Sequence, residues 1–337
     1  MAKKKVVGDQ QQELLKFLTR RRTKMEIAHQ FDLSLDDAAK FLEEARGAIG
    51  EDSELIEDKN VFNASRYQIR KKIKTGPLPT RVWTYQRHAD KPYIVVSIPD
   101  SLKCRKLNIV PISDVVLGSS ECDMELFDKY INWISTQEEV YVFLNGDILA
   151  PVPKQGVPKE DYDPLVFAYV LAQKILSIRH KILWAQQGDD EAKMARNDGL
   201  DPLKIVCEKL DIPYFDEPVY ADICWKGNVF TFFCLHGRTR AIQKGAKLNA
   251  ALRPRDFQEH SMFTVMSHAG DAISKDIPRI CQDQRNFVLV ERSEYYLISP
   301  SFKRYFGSDA ARKGYPPFSK GAISCRLYAD GTYKVSS

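Results

Sequence analysis

The chain has 337 residues, 44% of them apolar and 28% charged, with a formal net charge of +5. These proportions fit a soluble globular protein large enough for two domains, one with a sizeable core, and no repeat or low-complexity tract breaks the pattern. Seven scattered cysteines (Cys104, Cys122, Cys207, Cys224, Cys234, Cys281 and Cys325), with no Cys-x-x-Cys pair, exclude a disulfide framework and point to a reduced, cytoplasmic protein. Residues 3–5 are lysines followed by only two apolar residues before Gly8, so no signal peptide is expected. The apolar stretch 165–178 is interrupted by Gln173 and Lys174, and no membrane span is expected. Residues 1–81 hold 17 Lys and Arg against 13 Asp and Glu, so +4 of the charge lies there and +1 in the remainder.

Residues 1–64 are expected to form a small winged helix-turn-helix-like domain. Leu14, Leu15, Phe17 and Leu18 share one helical face, and Met25, Ile27, Ala28 and Phe31 share another. Ser34 and Asp37 read as a capping box opening a third helix that carries Leu35, Ala38, Ala39, Phe41, Leu42 and Ala45. Residues 55–62 read as a hairpin or wing. In such domains the third helix enters the major groove. Here Asp36, Asp37, Glu43 and Glu44 outnumber Lys40 and Arg46, and a net charge of −2 is wrong for a phosphate surface. Contact with nucleic acid is therefore assigned to the basic flanks: Arg20, Arg21, Arg22 and Lys24, and, in a basic connector at 65–81, Arg70, Lys71, Lys72 and Lys74. The other reading is a small helical domain for protein contact or packing, followed by a solvated linker that stiffens at Gly76, Pro77 and Pro79.

Residues 82–337 form the second expected domain. Residues 81–98 alternate and predict strands, 124–135, 164–180 and 202–210 predict helices, and the last with Pro202 in its first turn. Five strand-length apolar runs each end on a residue that could hold a metal. Run 107–113 ends at Asp114, 140–145 at Gly146-Asp147, and 182–187 at Gly188-Asp189-Asp190-Glu191. Run 229–235 ends at His236-Gly237, and 263–266 at Ser267-His268-Ala269-Gly270. Strand ends of a layered α/β fold gather along one edge of the sheet, where sites form. Runs 287–290, 295–298, 323–328 and 333–334 predict a second sheet that completes a sandwich.

That order of motifs over roughly 105–272 resembles the calcineurin-like metallophosphoesterase superfamily, whose pattern is Asp-x-His, Gly-Asp, Gly-Asn-His-Asp/Glu, a His usually followed by Gly, and Gly-His-x-His. The resemblance implies an α-β-β-α sandwich and a centre of two cations about 3.5–4 Å apart that make hydroxide and neutralise phosphoryl oxygens. It also implies which residues would hold them. The first cation keeps Asp114 and Asp147, but Val116 and Gly270 stand where the family has histidines. The second keeps Asp147, His236 and His268, with Asp189 in place of the asparagine. Asp190 stands where the family's acid histidine lies over the phosphate. Glu121, Asp123, Glu191 and Asp271 are further carboxylates that could serve as substitute ligands. Arg238 and Arg240 could hold a phosphate, since a guanidinium matches its geometry.

One dismantled and one nearly whole half-site imply a single Zn²⁺, Mn²⁺ or Fe²⁺, or else no metal, with His236 and His268 as hydrogen-bonded core residues. The functional expectation is a pseudo-phosphoesterase serving as a nucleic-acid- or partner-binding scaffold or regulator. The alternatives are an active phosphoesterase or nuclease with altered ligation, and a structural assembly protein.

Overall fold

A computed structural model describes residues 80–150, 164–239, 241–258, 261–283 and 287–336. The winged-helix domain, nearly all of the basic connector and Arg240 lie outside the described residues. In chain order the strands are β1 (Thr84–Arg87), β2 (Tyr93–Ser97), β3 (Lys106–Ile112), β4 (Val140–Asn145), β5 (Ile182–Gln186), β6 (Tyr214–Phe215), β7 (Val219–Trp225), β8 (Asn228–Leu235), β9 (Phe263–Met266), β10 (Ile273–Asp283), β11 (Val288–Ile298), β12 (Ser324–Tyr328) and β13 (Tyr333–Ser336). The helices are α1 (Met124–Thr136), α2 (Pro164–Ile175), α3 (Asp189–Asp198), α4 (Pro202–Leu210), α5 (Lys244–Leu252) and the single turn α6 (Asp309–Arg312). Beyond Ile175 the helix predicted to run to residue 180 tightens into 3₁₀ turns at Leu176–Lys181 that lead straight into β5.

Two sheets face each other. One has six strands in the order β13-β12-β3-β4-β5-β6, the other seven in the order β1-β2-β7-β8-β9-β11-β10. β4 shows why they stack. All six of its residues are buried, and alternation sends Tyr141 and Phe143 towards the other sheet and Val140, Val142 and Leu144 towards the helices. Between the sheets Trp184 stacks on Phe143 (4.6 Å between centroids) and meets Phe232 of the opposite sheet edge-on at 6.5 Å. On the outer face of the six-stranded sheet lie α1, α2 and α4, the second apolar on most sides with eight buried residues. Ala250 and Ala251 of α5 pack against Met266 and Ile298 of the other sheet. The result is the α-β-β-α sandwich.

The ends of the helices are tied down by side chains. Asp201 caps α4 through Lys204 N–H (3.0 Å), with Pro202 in the first turn. The buried Lys181 ammonium donates to the carbonyls of Ile134 (2.6 Å) and Gln137 at the end of α1.

The topology departs from expectation in two respects. The five strand ends that carry candidate ligands do not share one sheet: β3, β4 and β5 run parallel in the six-stranded sheet, while β8 and β9 run parallel in the other. Their ends meet across the gap between the sheets. The C-terminal runs also divide, because β12 pairs antiparallel with β3 while the long β10–β11 hairpin extends the seven-stranded sheet. Among the described residues no helix is long and apolar enough to cross a membrane. Among the described residues Cys104, Cys207, Cys224, Cys234, Cys281 and Cys325 form no disulfide.

Candidate metal centre

A polar seam joins the sheets at this edge. Asn145, the last residue of β4, donates from Nδ2 to Leu235 O (3.1 Å) and to Ser267 Oγ (2.6 Å), both beyond the gap. Gln186 at the end of β5, its amide oriented by the network, donates to Cys234 O and Asn145 Oδ1 and accepts from His236 N–H. The seam sets β4 against β8 and β9, and the next residues of each strand carry the site.

Here the backbone adopts left-handed conformations that side chains normally avoid. Asp114 (φ 51°), Val116 (47°), Asp147 (51°) and His268 (63°) are four of the seven non-glycine residues with positive φ among the described residues. Each costs about 1–3 kcal/mol, and such conformations persist only where the surroundings enforce them. The glycines fit the same crowding. A Cβ on Gly188 would stand 2.1 Å from Asp147 N, and one on Gly146 would stand 2.5 Å from His236 Nδ1.

Asp147, His236 and His268 come together. Asp147 Oδ2 lies 3.1 Å from His236 Nε2 and 3.8 Å from His268 Nδ1, and the two imidazole nitrogens are 3.2 Å apart. Donors about 2.0–2.1 Å from a tetrahedral Zn²⁺ are separated by about 3.3–3.4 Å, so the three gaps suit one cation with an open position. Nδ1 of His236 donates to Asn145 O (2.9 Å), which leaves Nε2 for the site. Asp147 and His236 are buried, and His268, 27% exposed, forms the opening.

Asp147 and His236 make a buried ion pair. Burial opposes charge on the imidazole, but Asp147 and then Asp114 raise His236 to about 10. Burial equally opposes charge on Asp147, yet His236, helped by His268 and Lys303, holds it well below the usual carboxylate range. Asp147 Oδ1 also accepts from Asp190 N–H (2.8 Å) in the first turn of α3, where the helix presents its positive end.

The other sequence-predicted residues are placed differently. Asp114 is buried, accepting from His268 N–H (3.1 Å) and facing Lys303 Nζ at 3.4 Å. Neither it nor Asp189 belongs to the group of donor atoms lying within 4.8 Å of one another. Asp190 is paired with Lys193 (2.8 Å); burial and the nearby Asp147 raise its pKa. Val116 is buried in the helix-side core, and a Cβ on Gly270 would meet the Phe318 ring at 2.7 Å. Arg238 is exposed in the loop after His236.

Of the four further carboxylates, three have structural roles. Glu191 is not a substitute ligand: its two oxygens accept from four backbone N–H groups, those of Asp147, Ile148, Leu149 and Gly188. Burial and Asp147 push it up to about 8, while the N–H donors favour the carboxylate. It holds the β4 loop and the start of α3 together. Asp123 caps α1 and pairs with Lys320, and Asp271 pairs with Lys247. Arg304 faces Asp123 at 3.9 Å, and Tyr305 donates to Tyr315 O.

Lys303 is the site residue that sequence reasoning missed. It follows Phe302 in a loop with no motif, and nothing local marks it among the lysines.

No family model matches the sequence, and no curated protein matches it either. Among solved structures it is similar to a Vps29 single mutant from Entamoeba histolytica, at 14% identity over 68% of this chain and 97% of that one, with a TM-score of 0.28. It is also similar to the NAD nucleotidase NadN of Haemophilus influenzae, at 10% identity over 69% of this chain, with a TM-score of 0.32. This chain covers 49% of NadN, about half its length.

Proposed function

We propose that residues 82–337 are a calcineurin-like phosphoesterase domain that keeps one cation half-site, and that the chain works as a nucleic-acid- or partner-binding scaffold or regulator. The observation that carries this reading is the Asp147–His236–His268 group, with donor gaps of 3.1, 3.8 and 3.2 Å and a tautomer fixed by Asn145. Those residues would hold one divalent cation through Oδ2, Nε2 and Nδ1. When bound, such an ion supplies a Lewis acid for a phosphoryl oxygen. Hydrolysis by the two-metal route needs a second cation to complete the clamp on the attacking and leaving oxygens. Val116, buried in the core, and Gly270, crowded by Phe318, offer it nothing. Asp190, tied to Lys193, is a poor stand-in for a neutral acid at a phosphodiester. The nucleic-acid part of the proposal rests on the basic flanks of the sequence, Arg20, Arg21, Arg22, Lys24, Arg70, Lys71, Lys72 and Lys74.

The test is metal content per chain by elemental analysis, before and after addition of Mn²⁺ or Zn²⁺, alongside turnover of bis-p-nitrophenyl phosphate and single-stranded DNA. One ion per chain, lost in Asp147→Asn and His236→Ala, is expected, with no Mn²⁺-dependent turnover. Turnover abolished by the same two substitutions would replace the scaffold with an active hydrolase.

A further inference from the structure

Asp114 is a carboxylate with 1% of its surface exposed, and such a group persists only beside a compensating charge. Its only cationic neighbour within ion-pair distance among the described residues is Lys303, with Nζ 3.4 Å from Oδ1. We propose that the Lys303 ammonium stands in for the second divalent cation of this centre and so limits it to one metal ion. This rests on the one-cation reading above and says what excludes the other ion.

Lys303 is fixed from both directions. Phe302 N–H donates to Asp114 O (3.2 Å), Asp123 N–H donates to Phe302 O (2.7 Å), and Arg304 N–H donates to Glu121 O (2.6 Å). The Phe302 ring is fully buried, edge-on to Phe127 and Tyr130 at 5.8 and 5.2 Å. Backbone and neighbouring side chain thus hold residue 303 against the turn 119–123, and its side chain is only 19% exposed. The charges acting on the ammonium are Asp114, Asp147, Asp190 and Glu121, the carboxylates that lie around the centre. Phe318 lies 6.0 Å from Nζ and also crowds Gly270, so a larger side chain at 270 would meet its ring.

A divalent ion placed between Asp114 and Asp147 would face this ammonium at short range and be repelled. The tethered charge neutralises Asp114 as a metal would, but it has no coordination position for water and cannot generate hydroxide. The centre is left with charge for an anion and without the bridged nucleophile of a two-metal hydrolase.

Metal content and calorimetric titration with Mn²⁺ and Zn²⁺ would be compared for the full-length wild type, Lys303→Met, Lys303→Arg and the double variant Lys303→Met with Asp114→Asn. Lys303→Met is expected to take up a second, weaker ion on Asp114 and Asp147, its only two protein ligands there, which the other three proteins do not bind. In EDTA the Lys303→Met protein should melt below the wild type, and added Mn²⁺ should close the gap. A Lys303→Met protein with the wild-type count and affinities overturns the proposal, whatever that count is. A wild type with no ion and a Lys303→Met variant with one would sink the one-cation reading and leave Lys303 as the excluding charge. If Lys303→Met does not fold, electron paramagnetic resonance of the wild type in excess Mn²⁺ decides: isolated Mn²⁺ is expected, and a spin-coupled pair overturns the proposal.

Discussion

His236 shows how much of a site depends on an atom outside it. Its Nδ1 is occupied by Asn145 O, so the ring can meet Asp147 only through Nε2, as a hydrogen-bonded imidazolium or as a ligand. The two roles compete, because a ligand must be deprotonated. The folded protein raises His236 to about 10 from an unfolded value of about 6.5. For a raised histidine the stabilisation is fully present below about pH 6.5 and is lost as pH rises through about 10. In EDTA, the gap in melting temperature between wild type and His236→Gln should therefore narrow from pH 6 to pH 10. A constant gap would mean that the imidazole stabilises by packing alone. Glu191 makes a related point: a carboxylate beside a candidate metal site need not be a ligand, and this one uses its acceptor sites on four backbone N–H groups.

Among the elements, the edges of β4 and β5 matter most, because they couple the two sheets. Trp184 is fully buried, stacked on Phe143 and edge-on to Phe232. Trp184→Ala should cost about 3–5 kcal/mol, since a large ring is removed from a layer that cannot collapse independently on either side. Chemical denaturation would check this, and metal uptake by the surviving folded fraction should weaken as well, because Asp147 and His236 come from opposite sheets. A loss under about 1 kcal/mol would mean that the sheets close over the cavity. The β10–β11 hairpin is a contrasting element, with Phe287 and Leu289 near its tip 93% and 69% exposed among the described residues.

For the molecule as a whole, charge and chemistry are separated along the chain. The region 1–81 carries +4 of the net +5, while the Asp147–His236–His268 group sits in the sandwich. If the basic flanks bind nucleic acid, affinity should fall linearly with log salt, by about 0.7–0.9 in slope per phosphate neutralised. Replacing Arg20, Arg21, Arg22 and Lys24 with alanine should then make that slope shallower by about one unit for every phosphate that is no longer neutralised. Unchanged affinity after deletion of residues 1–81 would move the binding surface to the sandwich.

The sequence by itself determined the elements that carry the centre. β4 and β9 have the predicted bounds, β3, β5 and β8 differ by a residue or so, and α4 runs from Pro202 to Leu210 as predicted. Apolar run length and a polar residue at each strand end are local properties, and they located Asp147, His236 and His268. Helix α3, the short β6 and the β10 arm of the hairpin escaped that reading, because polar or mixed segments take their form from what they pair with. Tertiary structure alone decided that the five strand ends come from two sheets, since periodicity shows that a strand is buried but not its partner. It alone made Glu191 a brace and set Lys303 against Asp114, 189 residues away in the chain. A charge pair across that distance leaves no spacing to read; it exists only once the loop after β11 is folded back onto the end of β3.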